Sequence, residues 1–510
     1  MFADGCAVER ERRLARQKEL GLVPPDTAMP PINDNVRPWA EFGPDEQRLF
    51  TRLQSAYAAM LDHADQHLAR LVGFLDQAGV RDDTIIIVMS DNGASQEGGP
   101  YGFVNAMGPY NGRKESLSEK IARIDDIGGP DTHTNFPFGW AMAANTPLKR
   151  YKQNTHGGGI RDPLVISWPA GLGTEPGLRH QFAHVSDLVP TLLDIVGIEA
   201  PDTVNGIPQM PLEGQSFAAS LTDAAAPTRG KAQYFEMFGH RGLWQDGWKA
   251  VAYHPPGKPF DDDVWELYHL DVDFSETVNL ADRYPERLQA MIAQWWAEAE
   301  RNNVLPLDDR FAERFAENAE RHQGARTRFD FHAGMGHIPT EVAPDIRGRD
   351  YDITAHVDIS GAVPEGILLA HGDATSGYAL YIDQFGRLVH VANIGGELSQ
   401  VASDQPVPPG TTTLGLRSRQ VADDGEARGP GIVYTLLIDG QEAGSVRSHL
   451  SFGPFVSWSG LDIGRDRGSP VGNYEAPYSF TGRLTHVGVD LHPRAPLDGE
   501  MIGNAEMARQ

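Results

Sequence analysis

Thr84-Ile85-Ile86-Ile87-Val88-Met89-Ser90-Asp91-Asn92-Gly93 is the stretch on which the reading of this 510-residue chain turns. Its five consecutive apolar residues, Ile85 to Met89, are too few for most helices and rich in β-branched side chains. Such a run predicts a strand buried on both faces, of the kind found inside a parallel sheet. Ligands of open α/β sheets sit beyond the carboxyl ends of such strands. Asp91 and Asn92 therefore arrive together, on a glycine turn, where a site is expected. Both present oxygen, which suits a hard cation such as Ca2+ or Mg2+. Asp-Asn-Gly is also ordinary turn chemistry, and this stretch alone weighs the two readings equally.

Working outward, composition sets the frame. A chain of this length is expected to hold two or three domains. The 40 % hydrophobic share and the 9 Trp, 14 Tyr and 21 Phe argue for packed cores and against disorder. A net charge of −26 sets the chain against nucleic-acid phosphates, so no nucleic-acid partner is expected. No apolar stretch approaches the roughly 18 residues that cross a bilayer, so no membrane partner is expected either. The amino terminus, Met1 to Cys6, runs into Glu9-Arg10-Glu11-Arg12-Arg13 without an apolar signal core. A single cysteine excludes an internal disulfide and fits a reducing compartment. The expectation is a soluble, acidic, globular protein, cytoplasmic rather than exported.

Leu49, Leu53, Tyr57, Met60, Leu61, Leu68, Leu71 and Leu75 keep helical spacing from Asp45 to about Ala78, and Gly79 is placed to end that helix. Helix followed by buried strand predicts an α/β fold. His63 and His67 lie one turn apart, but a zinc-protease helix needs Glu where Ala64 stands, so they are expected to be surface or packing residues. Residues 94–145 are rich in Gly, Asn and Pro, as functional loops are. Lys149, Arg150, Lys152 and Arg161 then cluster around Thr155-His156-Gly157-Gly158-Gly159. Three glycines let backbone approach a ligand and turn N–H groups toward an anion; a solvated basic loop is the equal alternative. Asp187 to Gly197 predicts an amphipathic helix, and Pro285 to Asn302 another. Tyr234–Phe238, Trp248–Val251 and Trp265–Tyr268 alternate as strands of a smaller antiparallel sheet. Beyond His322 short alternating strands predict an all-β sandwich: Tyr351–Ile359, Gly366–Ala370, Tyr378–Ile382, Leu388–Val391, Tyr434–Ile438 and Arg483–Leu491. Asp439-Gly440 is a hairpin turn signal.

In order along the chain, Ser90-Asp91-Asn92-Gly93, Arg123-Ile-Asp-Asp-Ile-Gly-Gly-Pro130, Asn145-Thr-Pro147, Thr155 to Ile160, Asp187-Leu-Val-Pro190-Thr191, Gln233 to Gly239, Asp246-Gly-Trp-Lys249 and Trp265-Glu-Leu-Tyr268 resemble a bacterial-type arylsulfatase of the alkaline-phosphatase-like superfamily. The resemblance covers about residues 1–310. The remainder resembles the concanavalin-like (LamG-like) sandwich appended to some members. The implied domains are a sulfatase domain over 1–323, with a small antiparallel subdomain near 200–310, a sandwich over 324–495, and a tail over 496–510. The resemblance implies sulfate-ester hydrolysis of a small molecule or a sulfated glycan at a divalent-metal site, Ca2+ first and Mg2+ second. It matches Asp91 and Asn92 to metal ligands and Lys152 to the lysine that neutralises the sulfate. His156 is placed near the same anion, either as a donor to it or as a packed loop residue. Gly157 stands where many relatives carry Glu.

The family nucleophile is a formylglycine made within C/S-x-P-x-R. That motif is absent here: Cys6 is followed by Val8 in place of Pro, and neither Ala225-x-Pro227-x-Arg229 nor Arg283-x-Pro285-x-Arg287 begins with Cys or Ser. The family's first Asp-Asp metal pair and its Lys-x-His clamp are missing as well. Family order places all of these before residue 1. The expectation is therefore the carboxyl-terminal part of a sulfatase, active only with an amino-terminal sulfatase fragment as partner. A metal-dependent phosphoester hydrolase of the same superfamily is the first alternative. The second is a non-catalytic carbohydrate-binding protein whose Tyr351, Tyr378, Tyr381, Trp458, Tyr474 and Tyr478 stack on sugars, although sandwich aromatics are more often core.

Overall fold

In the computed structural model, which describes residues 2–33, 35–174, 177–323, 326–361, 363–421, 431–494 and 499–509, the chain forms two compact units. One comprises residues 1–41, 58–96 and 138–309; the other comprises 42–57, 97–137 and 310–510. The boundary expected at 323–324 and the start of the tail at 496 fall on or beside residues outside those described.

In the first unit the apolar run forms strand β1, Ile86–Met89, paired with β2, Leu164–Ser167. The pairing is antiparallel, with Val88 opposite Val165 and Met89 opposite Leu164. This corrects the expectation of a strand buried on both faces of a parallel sheet. Val88 is 39 % exposed, Met89 43 %, Leu164 38 % and Val165 59 %. Side chains alternate across a strand, so both faces of this ribbon are uncovered at the end that leads into Asp91. The apolar composition is that of a core strand, yet only Ile86 and Ile87 are half-buried, while Val88 and Met89 are exposed.

A small hairpin, β3 (Thr203–Val204) and β4 (Ile207–Pro208), precedes the antiparallel sheet expected from the alternating segments. That sheet has four strands in order: β5 Gln233–Met237, β6 His240–Gln245, β7 Trp248–Ala252 and β8 Trp265–His269. Strand β6 was not anticipated. On one face Leu243, Ala250 and Leu267 pack against Leu288, Met291 and Trp295 of the helix Pro285–Arg301. Trp295 is fully buried and donates its Nε1–H to the Phe235 carbonyl at 3.0 Å. The other face carries Lys249, Val251, Glu266 and Tyr268, because Lys249 lies opposite Tyr268 and Val251 opposite Glu266. The helix Leu188–Val196 ends as predicted on Gly197 in the left-handed region. The helix Cys6–Glu19 lies on Phe138–Ala144: Arg13 donates to the Ala143 carbonyl at 3.2 Å and Phe2 meets Trp140 edge-on at 5.7 Å. Cys6 is buried there, and burial pushes its thiol up.

The helix expected from Asp45 to Ala78 spans Pro44–Gln77. Its early turns, Leu49, Phe50 and Leu53, are buried, whereas Met60, Leu61, Leu71 and Phe74 are more than half exposed. His63 and His67 are exposed, their Nε2 atoms 3.0 Å apart.

The second unit contains the sandwich. Its strands are β9 Arg328–His332, β10 Arg349–Asp358, β11 Gly366–Asp373, β12 Ser376–Ile382, β13 Leu388–Ile394, β14 Glu397–Ala402, β15 Thr413–Val421, β16 Gly431–Ile438, β17 Gln441–Ser448, β18 Leu461–Ile463 and β19 Arg483–Arg494. They form a six-stranded sheet, β17-β16-β15-β10-β19-β9, and a five-stranded sheet, β14-β13-β12-β11-β18, antiparallel throughout. Ile353, Leu414 and Val487 from one sheet meet Leu369, Leu380 and Leu388 from the other in a single core. Tyr351 and Tyr378 belong to that core, and Tyr381 is buried on the outer face of the five-stranded sheet against Tyr474 and Tyr478. These aromatics therefore serve packing, which removes most of the sugar-stacking platform considered above. No described helix is long and apolar enough to cross a membrane.

Candidate functional site

Strand β1 delivers Asp91 and Asn92 onto a turn laced to the loop that follows Asn145. The Ser90 N–H donates to the Pro163 carbonyl at 3.4 Å, and the Gly93 N–H to the Gly159 carbonyl at 3.3 Å. The Ala94 N–H donates to Asn145 Oδ1 at 2.9 Å, while the Lys152 N–H donates to the Ala94 carbonyl at 3.2 Å. Asn145 completes the lacing through its Nδ2, which donates to the Gly158 carbonyl at 2.7 Å. The carboxylate–amide tip and the Lys152 segment are thus held side by side by backbone bonds. Asp91 itself is exposed, whereas Lys152 is 3 % exposed and engaged with the protein around it. Asp162, next along the loop, has its carboxyl raised to about 7, by burial first and by the charge of Asp91 second.

The glycines are there for close approach. A Cβ on Gly93 would lie 1.7 Å from the Gly158 carbonyl oxygen, and one on Gly159 would lie 2.0 Å from the Asn154 carbonyl oxygen. Their N–H groups are already taken, which corrects the expectation of an anion-facing nest. Gly158 donates to the Lys149 carbonyl and Gly159 to the His156 carbonyl, while Gly157 donates to Glu276 Oε2 at 2.9 Å. The anion met by Gly157 is one of the protein's own carboxylates. Arg150 and Gln153 hold φ of 64° and 71°, an uncommon strain that the surrounding bonds must fix.

Beneath this loop lies a charge network on the polar face of the β5–β8 sheet. His156 is 1 % exposed, and its Nε2 lies 3.2 Å from Glu266 Oε2. Lys149 Nζ donates to the same oxygen at 2.9 Å and to the Tyr268 hydroxyl at 2.8 Å. Burial opposes ionisation of Glu266, but His156, Tyr268 and Lys149 outweigh it and hold the carboxyl well below the usual range. Burial also pulls His156 down, which favours the neutral ring. Deeper still, Lys249 Nζ donates to Glu276 Oε1 at 2.6 Å, with both side chains at most 3 % exposed. Glu276 takes a left-handed φ of 58° to reach that position. Of the basic cluster, Arg150 lies 4.0 Å over the Tyr253 ring and Arg161 lies 3.7 Å over Phe274. The structure therefore brings Asp91, Asn92, Lys152 and His156 into one neighbourhood by segment, and gives His156 a carboxylate partner. Glu266, Glu276 and Lys249 were missed; the alternation of Glu266 and Tyr268 along β8 was the one sign that they share a face.

Comparison with known proteins follows the same segments. The sulfatase family model matches residues 24–198, and the model for the carboxyl-terminal part of N-sulphoglucosamine sulphohydrolase matches 149–302. An uncharacterized sulfatase of Schizosaccharomyces pombe is 28 % identical over 317 residues, which are 61 % of this chain and 55 % of that protein. An arylsulfatase of Klebsiella aerogenes is 27 % identical over 219 residues, 43 % of this chain and 45 % of its own length. The chain thus spans about half the length of these curated relatives. A solved structure, Ps i-CgsB in complex with k-i-k-neocarrahexaose, matches 56 % of this chain and 49 % of its own at 19 % identity. Its TM-score of 0.35 is too low to carry any reading of substrate.

Proposed function

We propose, for a chain that matches the sulfatase family model over residues 24–198 and the model for the carboxyl-terminal part of N-sulphoglucosamine sulphohydrolase over 149–302, that it supplies the Lys152 side of a sulfate-ester hydrolase completed by an amino-terminal sulfatase portion. The observation that carries this reading is the lacing of the Asp91–Asn92 turn to the Lys152 loop through Gly93–Gly159 and Ala94–Lys152. A sulfate monoester is a compact anion whose charge grows on the departing oxygen. Fixed positive charge in a water-poor site stabilises that change, usually the largest catalytic effect. Lys152 is the residue we assign to it. His156, neutral and turned to Glu266, is assigned as a positioning residue that anchors the loop.

The oxygen donors at Asp91 and Asn92 suit Ca2+ or Mg2+ in kind but not in number. Ca2+ takes about six to eight oxygens. Among the described residues no group of three or more His, Cys, Asp or Glu is placed to hold a metal ion. The residues present therefore do not by themselves form a metal shell. The proposed partner would supply the missing carboxylates and the nucleophile. The exposed ribbon supports this reading: Val88, Met89, Leu164 and Val165 bare an apolar sheet on both faces, a pattern that marks interaction surfaces.

Three results test the proposal. The purified chain alone is expected to leave p-nitrophenyl sulfate unhydrolysed; turnover by it would remove the need for a partner. The genomic sequence upstream of Met1 is expected to encode C/S-x-P-x-R followed by sulfatase strands. An upstream sequence without them would sink the split-enzyme reading. In the completed enzyme, Lys152→Ala should lower kcat/KM by on the order of 2 kcal/mol or more, roughly thirtyfold, and an unchanged rate would take Lys152 out of the site.

A further inference from the structure

Among the described residues, the guanidinium of Arg150 has no carboxylate within ion-pair reach and makes no hydrogen bond. In a chain of 70 acidic and 44 basic residues that is a notable vacancy, because the cations around it are matched. Lys149 pairs with Glu266, Lys249 with Glu276 and Arg241 with Asp263. An arginine laid on a tyrosine, as Arg150 is at 4.0 Å over the Tyr253 ring, is ordinary on a protein surface. Arg150 differs in costing the fold twice. Its Nε is buried without a partner, and its backbone holds a φ of 64°. Strain of that kind gathers at ligand clamps.

Two more polar groups at the same spot are uncommitted. His240 opens β6 and Tyr253 follows β7; with Arg241 opposite Ala252 they are neighbours at the end of the ladder. Their rings stack at 4.7 Å between centroids. Tyr253 is exposed, and among the described residues its hydroxyl makes no hydrogen bond. The His254 N–H donates to His240 Nδ1 at 2.9 Å, so the neutral ring carries its proton on Nε2, which has no partner among those residues. Burial, then the charge of Arg150, lowers His240 to about 3, which keeps the ring neutral. His254 is itself fixed, with Nδ1 2.9 Å from Asp263 and Nε2 3.1 Å from Asp309. The uncommitted groups are a guanidinium, an imidazole N–H and a phenol O–H. All three donate.

We propose that Arg150, His240 and Tyr253 form an oxyanion subsite beside Lys152, so that the substrate is a sulfate ester carrying a second anionic group, a carboxylate or another sulfate. A set of donors without an acceptor charge calls for a ligand that only accepts. The planar guanidinium fork meets two oxygens of such a group at once. Arg150 stands two residues from Lys152 on the same loop, so both anions would belong to one molecule. That last step rests on the reading of Lys152 as the sulfate-facing lysine. A neutral analogue would leave the donors unpaired, which is how hydrogen-bonding sites reject ligands lacking the matching group.

The test titrates the full chain with sodium glucuronate, with glucose 6-sulfate and with glucose, followed by calorimetry. At least one anion is expected to bind and glucose is not. Arg150→Gly should weaken anion binding about tenfold or more, while His240→Ala and Tyr253→Phe should each weaken it about threefold. Glycine takes the left-handed backbone freely, so Arg150→Gly should unfold at a temperature no lower than its parent, which separates a lost ligand contact from a lost fold. Whichever anion loses more affinity in Arg150→Gly identifies the second group as carboxylate or sulfate. Glucuronate carries no sulfate and nothing is turned over, so an Arg150-dependent glucuronate site stands even if Lys152→Ala leaves the completed enzyme unaffected. Failure of both anions to bind the parent, equal binding in Arg150→Gly, or glucose binding as tightly as glucuronate would each overturn the proposal.

Discussion

The β1–β2 ribbon and the sandwich are both antiparallel ladders built from apolar strands, yet one is bare and the other closed. In the sandwich Leu369, Leu380 and Leu388 are wholly buried between two sheets. In the ribbon the paired Val88 and Val165 are 39 % and 59 % exposed. Pairing satisfies backbone hydrogen bonds in both, so the ladder alone does not make a core. A two-stranded ribbon is marginal in water until other layers cover it. The sandwich closes its own core, and under the proposed reading the ribbon is the surface on which an amino-terminal portion would pack.

The largest expected effect sharpens the comparison beside the ribbon, where charge rather than apolar contact fills the interior. Glu276→Gln leaves the Lys249 ammonium without its carboxylate in a site at most 3 % exposed, and should cost about 3–5 kcal/mol in denaturant unfolding of the first unit. Adding Lys249→Met should recover much of that loss; no recovery would mean that the pair is held for shape and not for charge balance. Next, Leu380→Ala in the closed core should cost about 2–5 kcal/mol in unfolding of the sandwich. A loss below about 1 kcal/mol would mean that the sandwich core is looser than its burial indicates.

Acid supplies a smaller test of the same closure. Burial pulls His371 down to about 4 and His390 to about 3, so both are neutral in the fold. Unfolded histidine takes a proton near pH 6.5, so the folded state binds fewer protons below that pH, and stability falls as pH drops toward those values. From pH 7 to pH 5 each should cost the sandwich about 2 kcal/mol, and His390→Gln should flatten the slope. A slope unchanged by both His371→Gln and His390→Gln would assign the acid sensitivity elsewhere. The smallest effect belongs to the ribbon: Val165→Ser should change the stability of the isolated chain by no more than about 0.5 kcal/mol. A cost near that of Leu380→Ala would show that the ribbon is covered after all.

Much of the fold was legible because its signals are local. The 3.6-residue spacing of Leu49, Leu53 and Tyr57 and the alternation along Tyr351–Ile359 each depend on neighbours within a few positions, and the helix Pro44–Gln77 and strand β10 follow them closely. The apolar run forms strand over Ile86–Met89, with Ile85 outside it, but the residues it pairs with, Leu164–Ser167, lie far along the chain, and an apolar run does not say whether its own chain provides the cover. The turn Asp91–Asn92 and the Lys152 loop could be placed together only through resemblance. Glu276 could not be anticipated at all, since its role arises from a left-handed backbone and from contacts with Gly157 and Lys249.

Cys6 offers a practical consequence of its own. It is the sole thiol in 510 residues and lies under the helix Cys6–Glu19 against Gly139. A maleimide dye can therefore mark the openings that expose this one thiol, the lifting of the amino-terminal helix off Phe138–Ala144 among them. Its labelling rate becomes a built-in stopwatch for how often that end of the molecule comes loose, readable without introducing any residue.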